Sequence, residues 1–149
     1  MMNENILELI DNNDYQAVKR LVNDMYPADI ALLFSEIEVK QAVVVFRLLK
    51  KDLAAEAFAY FDSDTQMSLI QAINDSELHE VLSLMFLDDT VDIIEEMPAS
   101  VVKRILNNTS PDKRKQINDI LRYPEDSAGS IMTVEYVSFN KDIKVSDAI

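Results

Sequence analysis

Ser63-Asp64-Thr65-Gln66-Met67-Ser68-Leu69-Ile70-Gln71-Ala72-Ile73-Asn74-Asp75-Ser76-Glu77-Leu78-His79-Glu80-Val81-Leu82-Ser83-Leu84-Met85 decides the fold. Its apolar residues fall as Leu69, Ile70 and Ile73, then Leu78, Val81, Leu82 and Met85. Steps of three and four line one face of an α-helix, and Val91, Ile94 and Met97 continue the pattern. Ser63-Asp64-Thr65-Gln66 reads as a capping box, Ser110-Pro111 as an N-cap followed by proline at the first helical position, and Pro27 and Pro98 as further helix openings. Breaks fall near residues 36–38, 50–52, 62–64, 74–76, 86–88, 97–99 and 107–110, an interval of about a dozen residues. Helices that short are marginal alone in water and gain stability by stacking. The expectation is an all-α fold, a right-handed superhelix or solenoid of short helices.

Glycine usage agrees. The one glycine is Gly129, so the chain reaches that point without the residue that most often ends helices and turns hairpins. After Tyr123-Pro124 the character changes. Ser127-Ala128-Gly129-Ser130 is flexible in composition, and Thr133-Val134-Glu135-Tyr136-Val137-Ser138-Phe139 alternates in the manner of a strand. Ser146-Asp147-Ala148-Ile149 reads as the start of another helix. The division is a helical unit over 1–123 and a linker with the opening of a second module over 124–149, as expected of a piece of a larger protein.

The composition, 48% hydrophobic and 28% charged over 149 residues, is that of a globular chain with a substantial core. Without cysteine there are no disulfides or thiolate sites, and the lone His79 argues against zinc. The longest apolar run, Ala42–Phe46, ends at Arg47, far short of the ~20 residues of a membrane span. A net charge of −13 disfavours nucleic acid and anionic membrane surfaces, and favours cations or a basic partner.

The charge is uneven. Between Lys51 and Lys103 there is no Lys or Arg, while Asp52, Glu56, Asp62, Asp64, Asp75, Glu77, Glu80, Asp88, Asp89, Asp92, Glu95 and Glu96 all lie there. Lys103, Arg104, Lys113, Arg114, Lys115 and Arg122 then reverse the sign. Such a field repels itself unless a cation, a basic domain or ordinary counterions arrive. Within Leu87–Met97, Asp88, Asp92 and Glu95 share a helical face with Glu96 beside it, while Leu87, Val91, Ile94 and Met97 face the core. Capping and the helix dipole account for Asp88 and Asp89, but not for acids further along. Mg²⁺, which keeps much of its water and needs few carboxylates, suits this face better than Ca²⁺. A calcium loop at Asp62 fails, since Met67 stands where its glycine belongs and Ile73 where its closing glutamate belongs. His79 lacks a nucleophile and an orienting partner, and no phosphate-binding glycine loop exists, so no enzyme is indicated.

Two stretches carry a family resemblance. Arg122-Tyr123-Pro124-Glu125-Asp126-Ser127-Ala128-Gly129-Ser130-Ile131-Met132-Thr133-Val134-Glu135-Tyr136-Val137 resembles the junction in the MgtE family of magnesium transporters between a superhelical amino-terminal domain and a pair of cystathionine-β-synthase (CBS) modules. Leu87-Asp88-Asp89-Thr90-Val91-Asp92-Ile93-Ile94 resembles that family's Leu-Asp-Asp-x-x-Asp-hydrophobic pattern. The resemblance implies a homodimeric, membrane-embedded carrier on whose cytoplasmic face this domain binds Mg²⁺ against the CBS pair, closing the pore when internal magnesium is plentiful. It assigns the ligands to Asp88, Asp92 and Glu56, the last in the dipeptide Ala55-Glu56, and implies a partly formed, weak site in this chain alone. A helical assembly module without metal, distantly similar to the rotor protein of the flagellar switch, is the other reading.

Overall fold

The computed structural model describes residues 2–124 and 126–148; Glu125 and Ile149, both within stretches read above, lie outside them. The chain forms α1 (Met2–Asp11), α2 (Tyr15–Val22), α3 (Pro27–Glu36), α4 (Val39–Leu48), α5 (Lys51–Tyr60), α6 (Ser63–Ala72), α7 (Asp75–Leu84), α8 (Leu87–Glu96), α9 (Ala99–Asn107), α10 (Pro111–Ile120) and a last turn, α11 (Val145–Ala148). From Tyr15 to Pro111, each helix starts 12 residues after the one before. The repeat is a helical turn count, with almost no sequence identity from unit to unit. From α2 to α8 what recurs is a core-facing residue at the fourth, seventh, eighth and eleventh positions, apolar except for the buried Gln66 and Thr90. Leu78, Val81, Leu82 and Met85 show it in α7, and Ile30, Leu33 and Phe34 with the partly buried Ile37 show it in α3.

Glycine is dispensable because of how the units join. Each helix from α3 to α8 ends on one extended residue and the next begins after a second. Ile37, Leu49, Phe61, Ile73, Met85 and Met97 have ψ between 147° and 158°. Glu38, Lys50, Asp62, Asn74, Phe86 and Pro98 follow with ψ between 144° and 169°. Both residues occupy backbone regions open to any L-residue, so no left-handed position arises. The first of each pair also buries its side chain, so that the residue ending a helix fills the core. Among the described residues, left-handed backbone is confined to Asn13 and Asp126. At Asn13 the N–H groups of Asn13 and Asp14 bond the carbonyls of Ile10 and Leu9 at 3.0 and 2.9 Å, a Schellman closure of α1 with asparagine in the glycine role. Gly129 serves close approach instead: a methyl added there would run into the Tyr123 ring.

Helices stack on the helix two places along, α2 on α4, α3 on α5, α4 on α6, α5 on α7 and α8 on α10, producing the superhelix. In α5, Ala54, Ala55 and Ala57 are buried, which lets α3, α7 and α8 all approach it. Phe34, Phe46, Phe58 and Phe61 form the aromatic centre, with Phe34 stacked on Phe61 at 4.6 Å and Phe58 edge-on to Phe46 and Phe61. Such rings supply a large share of buried apolar area in specific geometries.

With no glycine closures from α3 to α8, the last carbonyls of those helices need other donors. Distant side chains provide them. Asn23 donates to Leu48 O at 2.8 Å, Gln66 to Phe58 O at 3.0 Å, and Arg104 to Ile73 O at 2.7 Å and to Ile70 O. Lys113 donates to Leu82 O at 2.7 Å and to Met85 O. The basic segment noted in the sequence thus neutralises the negative ends of α6 and α7. His79 has a structural role as expected, its Nδ1 lying 2.8 Å from Asn108 O at the end of α9.

Several local expectations shift. Asp62, one residue before the expected Ser63, caps α6 by accepting from Thr65 N at 2.7 Å. An N-cap must keep an extended backbone, which the connector gives to Asp62. Pro27 and Pro111 stand at the first helical position as read, whereas Pro98 occupies the N-cap itself. Asp88 does not cap α8; Phe86 holds the N-cap position, placing Asp88 inside the first turn. The strand expected over Thr133–Phe139 does not form. That stretch is irregular, with Tyr136, Val137 and Phe139 exposed, because among the described residues no second strand offers the hydrogen bonds that a strand requires.

Replacing Phe58 with alanine should cost about 3–5 kcal/mol in urea unfolding followed by circular dichroism, since its fully buried ring cannot be replaced by collapse of the surrounding cluster. Arg104→Met, which keeps the apolar stem but strips the donors from the end of α6, should cost about 1–3 kcal/mol in the same measurement.

Candidate functional site

The structure sorts the twelve carboxylates of the Lys-free stretch. Those of α7 are compensated from outside the stretch. Glu77 pairs with Arg47 at 2.7 Å, Glu80 with Lys51, and Asp75 with Arg104 at 2.9 Å. Arg47 holds the Glu77 carboxyl below its usual range through a direct hydrogen bond. Glu96 accepts from the Ser63 hydroxyl. Asp52 and Glu56 on α5, and Asp88, Asp89 and Asp92 on α8, make no ion pair among the described residues.

These two helices are brought together by packing. α5 touches α8, and the seam opens into a groove of about 650 Å³ lined by Asp52, Ala55, Glu56, Tyr60, Phe86 and Asp89, among others. Glu56 therefore faces α8. Its groove neighbour is Asp89, while Asp88 and Asp92 lie outside the groove lining. Asp88 is half-buried and accepts from Asp89 N at 3.1 Å; Asp92 is exposed on the next turn. Burial, then Asp88 and Glu96, push the Asp92 carboxyl above its usual range. Burial, then Asp88, Asp92 and Glu135, do the same to Asp89, with Lys113 opposing.

Among the described residues no three His, Cys, Asp or Glu side chains converge on one point. Glu56, Asp88 and Asp92 are thus an open array. Hard carboxylate oxygens with excess negative charge suit Mg²⁺ bound through its water, with the rest of the coordination supplied from elsewhere. The residues fit the ion as half of a site. Asp52, four residues before Glu56 and so on the same side of α5, joins it in the groove, and Asp89 has a place there beyond capping and the helix dipole. The sequence reading gave no role to Glu135, whose Oε2 accepts from Leu87 N at 2.5 Å. Forty-eight residues separate that pair, and no local pattern signals it.

A twelve-residue helical solenoid with a groove of unpaired carboxylates between α5 and α8 is the class of protein that the fold defines. Residues 25–126 match the family model described as the MgtE intracellular N domain, and the chain belongs to that family. The magnesium transporter MgtE of Thermus thermophilus is 28% identical over 146 residues, covering 95% of this chain. That of Bacillus subtilis is 22% identical over 144 residues, covering 97%. The chain spans about a third of the length of these relatives, 32% of each. Among solved structures, the cytosolic domain of the Mg²⁺ channel MgtE in complex with ATP superposes with a TM-score of 0.78 at 29% identity, over 91% of this chain and 56% of that one. The soluble part of a magnesium transporter superposes with a TM-score of 0.85 over 99% of this chain and 58% of that one, a likeness of fold at 21% identity. Among the described residues no helix is long and apolar enough to cross a membrane.

The raised carboxyls of Asp89 and Asp92 bind a proton more tightly in the folded chain than in the unfolded one, where the ordinary value is 3.8. Their ionisation therefore weakens the fold as pH climbs from 3.8 through the higher folded values, and the penalty is complete at neutral pH. Asp89→Asn and Asp92→Asn should each raise the thermal midpoint at pH 7, and the gain should vanish below pH 3.8, as read by thermal unfolding across a pH series.

Proposed function

We propose that this chain is the cation-sensing module of a magnesium transporter or channel. In this reading Glu56, Asp88 and Asp92 supply one half of Mg²⁺ sites whose other half lies on CBS modules of the same protein, within a homodimer. The helical unit runs to about Tyr123, and the residues from Pro124 lead into the first CBS module. The observation that carries the reading is the sorting of charge. Arg47, Lys51 and Arg104 neutralise the acids of α7, while Asp52 and Glu56 of α5 and Asp89 of α8 are left unpaired on either side of one groove, with Asp88 and Asp92 on α8 beyond its lining.

The mechanism follows from that imbalance. Without the ion, an acidic face set against an acidic neighbour is repelled, and the two stand apart. Mg²⁺ entering with most of its hydration shell needs only about one or two carboxylates from each side. It screens the repulsion and shifts the population toward the docked state. Each ion contributes through its differential affinity for the docked and separated forms, so several weak shared sites act together and the response is graded with magnesium concentration. Docking then holds the attached pore closed. The named relatives are magnesium transporters, which supports this reading over a metal-free assembly module.

A protein carrying this chain with its complete CBS pair should become more compact between chelator and millimolar Mg²⁺, in both small-angle scattering and resistance to protease. Alanine at Glu56, Asp88 and Asp92 together should abolish the difference; compaction that persists in the triple variant refutes the assignment.

A further inference from the structure

Among the described residues, the tail beyond the solenoid meets it through one side-chain hydrogen bond, from Leu87 N to Glu135. Helix α8 lacks an N-cap of its own. Phe86 occupies that position and has no side chain able to accept the first free N–H groups. The Glu135 carboxylate, from the irregular stretch after Gly129, accepts from Leu87 N at 2.5 Å and so takes the capping role. Val134 beside it is partly buried against the core, while Ile131, Tyr136, Val137 and Phe139 are exposed. On the other side of the same connector, Lys113 holds the carbonyls of Leu82 and Met85, the last ones of α7. The Met85-Phe86 joint is thus gripped by a cation on its carbonyls and an anion on its amide.

We propose that Glu135 is a latch that fastens the segment following the solenoid to the N-terminus of α8, coupling the position of that segment to cation occupancy of the acidic groove. The coupling arises from where the joint lies. Met85, Phe86 and Asp89 line the groove opposite Glu56, one helical turn or less from Leu87. Glu135 and Asp89 are near enough to repel, and Lys113 attracts both. A divalent cation in the groove offsets the repulsion and tightens the latch. By linkage, a closed latch adds one more negative charge near the groove and raises its affinity for the cation by the same factor. The coupling half of this inference rests on the magnesium reading above; the latch itself does not.

The test uses a protein carrying the 149-residue chain with its complete CBS pair, so that the Mg²⁺ half-sites have their partners. In chelator, E135A should speed hydrogen exchange of the Leu87 amide about tenfold, as expected on losing a charge-assisted hydrogen bond. It should also speed chymotrypsin cleavage after Tyr136 and Phe139, with fragments assigned by mass spectrometry. E135Q, which keeps an acceptor without the charge, should fall between the two. Millimolar Mg²⁺ should slow exchange and cleavage in the wild type and leave E135A unchanged. Equal rates for wild type and E135A in chelator would overturn the latch, whatever magnesium does. A latch seen in chelator but indifferent to Mg²⁺ would overturn the coupling. Because the chelator measurements contain no cation, they stand apart from any failure of the Mg²⁺ sites.

Discussion

A helix that stops without glycine leaves carbonyl oxygens pointing at nothing, and in this chain those oxygens organise the rest. From α3 to α8 every junction is a pair of extended residues, which turns the chain sharply but closes none of the last carbonyls in the usual left-handed way. Long donors reach back or forward across the stack to them: Asn23 to α4, Gln66 to α5, Arg104 to α6 and Lys113 to α7. The bonds from Asn23, Arg104 and Lys113 tie units that are not neighbours in sequence, so the connectors that make the solenoid compact also make it depend on tertiary contacts.

That dependence bears on charge. Arg104 is committed both to the end of α6 and to Asp75, and Lys113 is committed to the end of α7. Arg47 and Lys51 from the preceding helices take Glu77 and Glu80. The basic residues flanking the acidic stretch are thereby spent on α7 and on helix ends. The carboxylates of α5 and α8 keep their charge uncompensated, and on α8 burial first, then repulsion from neighbouring acids, raises the carboxyls of Asp89 and Asp92. Exposed pairs of this kind contribute little stability individually, and their larger effect is to decide which acids remain available.

The twelve-residue interval, the helical class and the core positions were legible because they are local. Residues at the fourth, seventh, eighth and eleventh places of a unit, mostly apolar here, must face one way on a helix, whatever the neighbours are. The capping positions were legible only to within one or two residues, as Ser63 against Asp62 and Asp88 against Phe86 show. Connector geometry decides which residue stays extended, and a fragment of sequence does not fix it. The strand read over Thr133–Phe139 failed for a related reason. Alternation describes a face, whereas a strand exists only when another backbone takes its hydrogen bonds.

The sequence by itself determined that the chain is helical, that its units are short, that its negative charge is concentrated, and that Glu56, Asp88 and Asp92 stand at family-like spacing. Tertiary structure alone decided which of the twelve acids find partners and that Glu56 shares its groove with Asp89. It also decided that Glu135 caps α8 from forty-eight residues away. Helical periodicity is set within a few residues by backbone geometry. The pairing of charges and the satisfaction of helix ends depend on which distant units the stack brings into contact.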